Sequence, residues 1–196
     1  MELSPTTLSF KQDQKSLTAL NTWYVWIHEL DSPHKGGRAD RARLRRANSP
    51  DDLMLSDAFF RFLRFPGMPD AVLHEQNWLA MAIIAGALAH TNPGREGKRH
   101  NDKSFAAQLA TPLEPGGKAP MSELRFSQLQ KSRNHEEFYR RLIRAVQLIK
   151  GNVNVMSLAD SVQRWCHEQR FGVDRTPMKR LAVNWAKEYF SALPRD

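Results

Sequence analysis

The stretch from Met121 to Asn152, MSELRFSQLQKSRNHEEFYRRLIRAVQLIKGN, decides the fold. It reads as two short helices meeting at a polar turn. Asn134 supplies an N-cap with Glu137 three residues on. Phe138, Leu142, Val146 and Ile149 then recur every three to four residues, as a buried helical stripe must. Gly151 supplies the stop. Arg140, Arg141 and Arg144 fall opposite the stripe, while Arg125, Gln128 and Lys131 step along the preceding helix. The pair therefore predicts core on one side and guanidinium on the other. Glu123, Glu136 and Glu137 sit among seven bases (Arg125, Lys131, Arg133, Arg140, Arg141, Arg144 and Lys150), too few acids to neutralise them by i,i+4 pairing. Surface charge usually means a solvated face, but clustering of this kind points to a polyanionic partner.

Outward from this pair, the chain keeps the same pattern. Its 196 residues are 41% apolar, enough to bury roughly 70% of the unfolded surface in one or two small helical cores. Lys and Arg number 29 against 21 Asp and Glu, a formal charge of +8 with a pI near 9.9, which predicts attraction to polyanions, nucleic acid first among them. The single cysteine, Cys166, excludes an internal disulfide and a multi-cysteine zinc site, and reads as a small buried residue beside Trp165. No signal peptide is visible. The longest apolar run, Trp78 to Ala89, is too short for a membrane span, so the expectation is a soluble cytoplasmic protein with no membrane contact.

Residues 1–14 are polar and expected to fray. Leu17, Leu20, Tyr24 and Ile27, with Trp23 and Trp26 beside them, predict an amphipathic helix whose rings fill a core. After a Pro/Gly break comes RADRARLRRA, Arg38 to Ala47, five arginines in ten residues, to be ordered through Ala42 and Leu44 or by phosphates. Ser49, Pro50, Asp51 and Asp52 mark a helix start. Phe59, Phe62 and Leu63 predict the buried side of the next helix, with Arg61 and Arg64 outward. Asp70 is expected to cap a long central helix from Ala71 to His90. The loop Asn92 to Lys103, NPGREGKRHNDK, carries four bases and suits a phosphate clamp. A short helix near Phe105 to Ala110 precedes TPLEPGGKAP, the expected boundary between helical units 1–111 and 120–196. Val155, Leu158, Val162 and Trp165 mark a further helix closed near Gly172. Thr176 and Pro177 start the last, with Met178, Leu181, Trp185 and Tyr189 inward. No segment alternates like a strand, so the fold is expected to be all-α and bundle-like.

Chemistry is sparse. There is no P-loop, no HExxH and no paired cysteine. His100, Asn101, Asp102 and Lys103 resemble part of a metal-nuclease site, but one carboxylate is too few. No catalytic residue, metal or cofactor is expected.

ARLRRANSPDDLMLSDAFFRFL (Ala42 to Leu63) resembles the arginine-rich entry and following helix of the CasB family, the small subunit of type I-E CRISPR Cascade complexes. RHNDK (Arg99 to Lys103) resembles a basic loop of that family, and ELRFSQLQKSRNHEEFYRRLIRAV (Glu123 to Val146) its paired helices. A tryptophan-bearing helix follows, at Leu158 to Trp165. Gln130 and Lys131 stand where the family usually has an apolar residue and arginine. The resemblance implies an all-helical, non-catalytic subunit, present as paired copies between the backbone and large subunits. It would hold guide RNA with target DNA, and the displaced non-target strand, in an R-loop. Sequence specificity then belongs to base pairing, and the protein supplies backbone contacts. Carried over by position, the contacting residues are Arg45, Arg46, Lys98, Arg99, Lys103, Arg125, Lys131, Arg140, Arg141 and Arg144. The alternative is a helix-turn-helix regulator built on Met178 to Phe190, although Lys179, Arg180 and Lys187 are few outward groups for a recognition helix.

Overall fold

The computed structural model describes residues 14–29, 36–93 and 102–194. The expected fraying of residues 1–14 falls almost wholly outside them. Among the described residues the protein is all-α, with ten α-helices, two short 3-10 turns and no strand.

The first helix, α1 (Gln14–Ile27), buries Leu20, Trp23, Tyr24 and Ile27. The arginine-rich run is α2 (Gly37–Arg46), anchored by Leu44, which is wholly buried. In α3 (Pro50–Met54) the Ser49 hydroxyl accepts from Asp52 N–H at 3.1 Å, as the capping pattern predicts. Next, α4 (Asp57–Leu63) buries Phe59, Phe62 and Leu63 and stops before Pro66.

The central helix is shorter than expected. Asp70 heads a separate 3-10 turn, Asp70–Leu73, and α5 (Glu75–Ala89) begins after an extended His74. Two side chains explain the break. Asn77 Nδ2 donates to Ala71 O at 2.8 Å and Trp78 Nε1 to Leu73 O at 3.1 Å, taking carbonyls that a continuous helix would offer to its own backbone. From Ala80 onward α5 is buried on all sides. Gly86 lets its neighbours close in, since a Cβ there would lie 2.7 Å from both Leu53 Cδ1 and the Tyr139 hydroxyl.

A short helix, α6 (Phe105–Ala110), is followed by α7 (Glu123–Gln130) and α8 (His135–Leu148). In α8 the stripe Phe138, Leu142 and Val146, with Ile149 at its C-cap, is buried, and Asn134 Oδ1 accepts from Glu137 N–H at 2.9 Å. Phe138 stacks on Trp165 with ring centroids 3.9 Å apart. That indole belongs to α9 (Val155–Phe171), which ends at Gly172 with φ +85°.

The last helix also starts late. Pro177–Lys179 form a 3-10 turn, and α10 (Leu181–Ala192) begins beyond an extended Arg180. The Glu168 carboxylate accepts from Leu181 N–H at 2.7 Å and so caps α10. Met178, expected inward, is therefore left 59% exposed, while Leu181, Trp185 and Tyr189 are buried. Helix α10 packs on α6, and α5 packs on α2, α3, α8 and α9, so buried side chains from both sides of residues 111–120 join one cluster.

Candidate nucleic-acid interface

The α7–α8 pair forms a groove of about 470 Å³. Arg125 and Gln128 approach it from α7, and Arg141, Arg144 and Gln147 from α8, over a floor that includes Leu129 and Leu148. Among the described residues no acidic side chain lines it. The local cause is the helical repeat: Phe138, Leu142 and Ala145 turn inward, which swings Arg141, Arg144 and Leu148 towards α7.

The three arginines do different work. Arg141 is half-buried and its donors are spent within the protein. Its Nη1 donates to Gln128 O and, at 3.3 Å, to Ser132 Oγ, and its Nη2 pairs with Glu137 Oε1 at 2.7 Å. Arg141 thus locks α8 to the end of α7. The backbone N–H of Arg133 and then the Arg141 guanidinium hold the Glu137 carboxyl below its ordinary range. Arg125 and Arg144 are exposed and have no ion-pair partner among the described residues. The same holds for Lys131 and for Arg140, which is one turn from Arg144 on α8 but does not line the groove.

A second basic surface lies on α2, and most of it is fastened down. Arg38 Nε pairs with Glu29 Oε2 at 2.6 Å. Arg41 Nε donates to Ala89 O at 3.0 Å and its Nη2 to Thr91 O at 2.8 Å, closing the C-terminal end of α5. Arg43 reaches Asp57 at 3.1 Å and the buried Asp40 at 3.7 Å. Arg61 from α4 meets Asp40 at 2.5 Å and Asp57 at 3.0 Å, so it is outward but not free. Arg45 and Arg46 are left exposed without a partner among the described residues. Burial, then Arg41, depress His28 to a pKa of about 4, and burial, then Arg45, do the same for His90.

Of the basic loop, Lys98 and Arg99 lie outside the described residues, as do His100 and Asn101. The residues on either side are pinned to one turn. Asn92 N–H donates to Gly151 O at 2.9 Å, and Asn154 Nδ2 donates to Lys103 O at 3.1 Å. The buried Gln108 amide holds that turn from beneath, donating to Asn152 O at 3.0 Å and accepting from Asn154 N–H at 2.8 Å. The exposed Lys103 donates through Nζ to Thr111 Oγ1 at 3.2 Å. Among the described residues no three His, Cys, Asp or Glu side chains converge as metal ligands, and no helix is long and apolar enough to cross a membrane. Cys166 is a free, half-buried thiol, pushed up to about 12 by burial.

The sequence pattern overlooked Gln147 and the fastening role of Arg41. Gln147 sits three residues after Arg144 and therefore on the same strip, a signal that helical spacing carries. Arg41 gave no such signal, because its acceptors are carbonyls about fifty residues away.

No curated protein and no solved structure matches the chain. A family model described as CRISPR-associated protein Cse2 matches residues 40–190. That match spans α3 to α9 whole and takes in the groove and the α2 surface from Arg41 onward. The chain belongs to the CRISPR-associated Cse2 family, the CasB small subunits of type I-E Cascade.

Proposed function

We propose that the protein is a non-catalytic small subunit that steadies the R-loop of a type I-E Cascade complex in antiviral defence. It holds the guide RNA paired with target DNA, and the displaced strand, by contacts to phosphate and sugar. The observation that carries this reading is the α7–α8 groove, where Arg125 and Arg144 project unneutralised around an Arg141 that serves as scaffold. Charges on a rigid helical face can follow a backbone without reading bases, and base pairing then supplies the specificity. Arg45, Arg46 and Lys103 extend the basic surface beyond the groove, with Lys98 and Arg99 in the neighbouring loop. The backbone and large Cascade subunits and a second copy of the chain are its protein neighbours.

The test compares Cascade assembled with wild-type chain and with Arg125→Glu/Arg140→Glu/Arg144→Glu. The variant should shorten R-loop lifetime and leave target choice unchanged. An unchanged lifetime, or a changed target preference, contradicts the reading.

A further inference from the structure

A second cleft lies away from the α7–α8 groove, between the C-terminal half of α1 and the outer side of α4. Trp26, Phe60, Phe65 and Pro66 form its apolar wall, and Arg61 and Arg64 stand on its rim, around about 420 Å³ of space. That volume falls within the roughly 300–1,000 Å³ of small-ligand sites. Its three rings are only half-buried, whereas Phe59 and Phe62 of the same segment are fully buried. Trp26 and Phe65 pack against each other, centroids 5.5 Å apart and planes inclined at 44°, so the two rings make one continuous wall.

The charge on the rim narrows the choice of ligand. Among the described residues Asp57 is the one acid lining the cleft, and it is held by Arg43 at 3.1 Å and Arg61 at 3.0 Å. Those two guanidinia also engage Asp40, so the network of two cations and two anions is balanced. Arg64, exposed beside it, has no ion-pair partner among the described residues. The cleft therefore offers an aromatic wall and one uncompensated cation. A nucleotide brings a flat ring that can stack and an anion at matching scale. An aromatic side chain from a protein neighbour would bring the ring alone.

We propose that this cleft takes an unstacked nucleobase of a single strand against Trp26 and Phe65, with the adjoining phosphate on Arg64. The proposal rests on the nucleic-acid reading above and adds a stacking station to it. Stacking on an aromatic side chain tolerates any base, so the station holds a single strand without selecting its sequence.

The experiment titrates the full chain with a short oligothymidylate and with an abasic oligonucleotide of equal length, read by fluorescence anisotropy. Wild type should prefer the base-bearing strand by roughly tenfold. Trp26→Leu should erase that preference and leave abasic affinity unchanged. If Trp26→Leu fails to fold, Phe65→Leu reports the same loss from the adjoining ring. Arg64→Gln, at an exposed position, should weaken both strands alike. Equal wild-type affinity for the two strands, with steep salt dependence, overturns this proposal and spares the nucleic-acid reading. No binding of either strand removes both. A preference that survives Trp26→Leu, in a chain that no longer joins a Cascade assembly, assigns the cleft to a protein neighbour and also overturns the proposal.

Discussion

The two arginine-rich segments, α2 and the α7–α8 pair, use one residue type for opposite purposes. In α2 three of five arginines are consumed: Arg38 by Glu29, Arg41 by the Ala89 and Thr91 carbonyls, and Arg43 by Asp40 and Asp57. Only Arg45 and Arg46 face outward without a partner among the described residues. In the α7–α8 pair the proportion reverses. Among the described residues Arg141 alone is tied down, and it positions a groove from which Arg125 and Arg144 project. The number of arginines in a run is therefore a poor guide to its affinity for phosphate. What matters is whether buried acids and exposed helix ends lie within reach, because a guanidinium whose N–H donors are already engaged has few left to offer a phosphate.

That contrast breaks most visibly if the free arginines are reversed. Arg125→Glu/Arg140→Glu/Arg144→Glu in the isolated chain should weaken binding to any nucleic acid by about a hundredfold or more at low salt, with helical circular dichroism unchanged. A loss of less than about threefold would show that the α7–α8 face does not carry the interaction.

Arg41→Ala should act on the other side of the contrast. Losing two charge-assisted hydrogen bonds at the end of α5 should cost about 2–3 kcal/mol of stability, measured by urea unfolding, with little change in the affinity of the folded protein. An affinity loss without a stability loss would move Arg41 to the binding surface. Arg141→Gln should behave in the same manner, lowering the unfolding midpoint while the salt slope of binding holds.

The histidines beside α2 give a pH signature. His28 and His90 have pKa values lowered from 6.5 to about 4, so between those values the unfolded chain binds more protons than the native one. Their contribution is complete above about 6.5 and is lost as the pH falls towards 4. The unfolding midpoint should drop across this window, and His28→Gln/His90→Gln should flatten the drop. A midpoint that is flat from 6.5 to 4 in wild type contradicts the packing around Arg41. The smallest effect is expected from Arg45→Gln or Arg46→Gln, each weakening binding a fewfold and lowering the salt slope by about 1.

Much of this was legible in the sequence. The stripe Phe138, Leu142, Val146 and Ile149, the Asn134 cap and the Ser49–Pro50 start are local patterns, and each is realised where the spacing places it. The two late helix starts were not legible. Asp70 and Thr176 look like caps, but the competing bonds come from Asn77, Trp78 and Glu168, and only the last two helices in contact reveal the third. For the interface, helical periodicity placed Arg125, Arg140 and Arg144 on open surface. It could not separate Arg141 from Arg144, because that distinction depends on Gln128 O and Ser132, which a turn brings within reach.

The measurement that tests the central claim most directly is a salt titration of the wild-type chain with two unrelated DNA sequences, each single- and double-stranded, with magnesium present. If about five phosphates are contacted, a fourfold rise in salt should weaken binding by roughly 10²–10³, equally for both sequences and with the DNA intact. Tight binding to one duplex alone, weakly dependent on salt, would contradict a sequence-indifferent backbone clamp and favour a regulator instead.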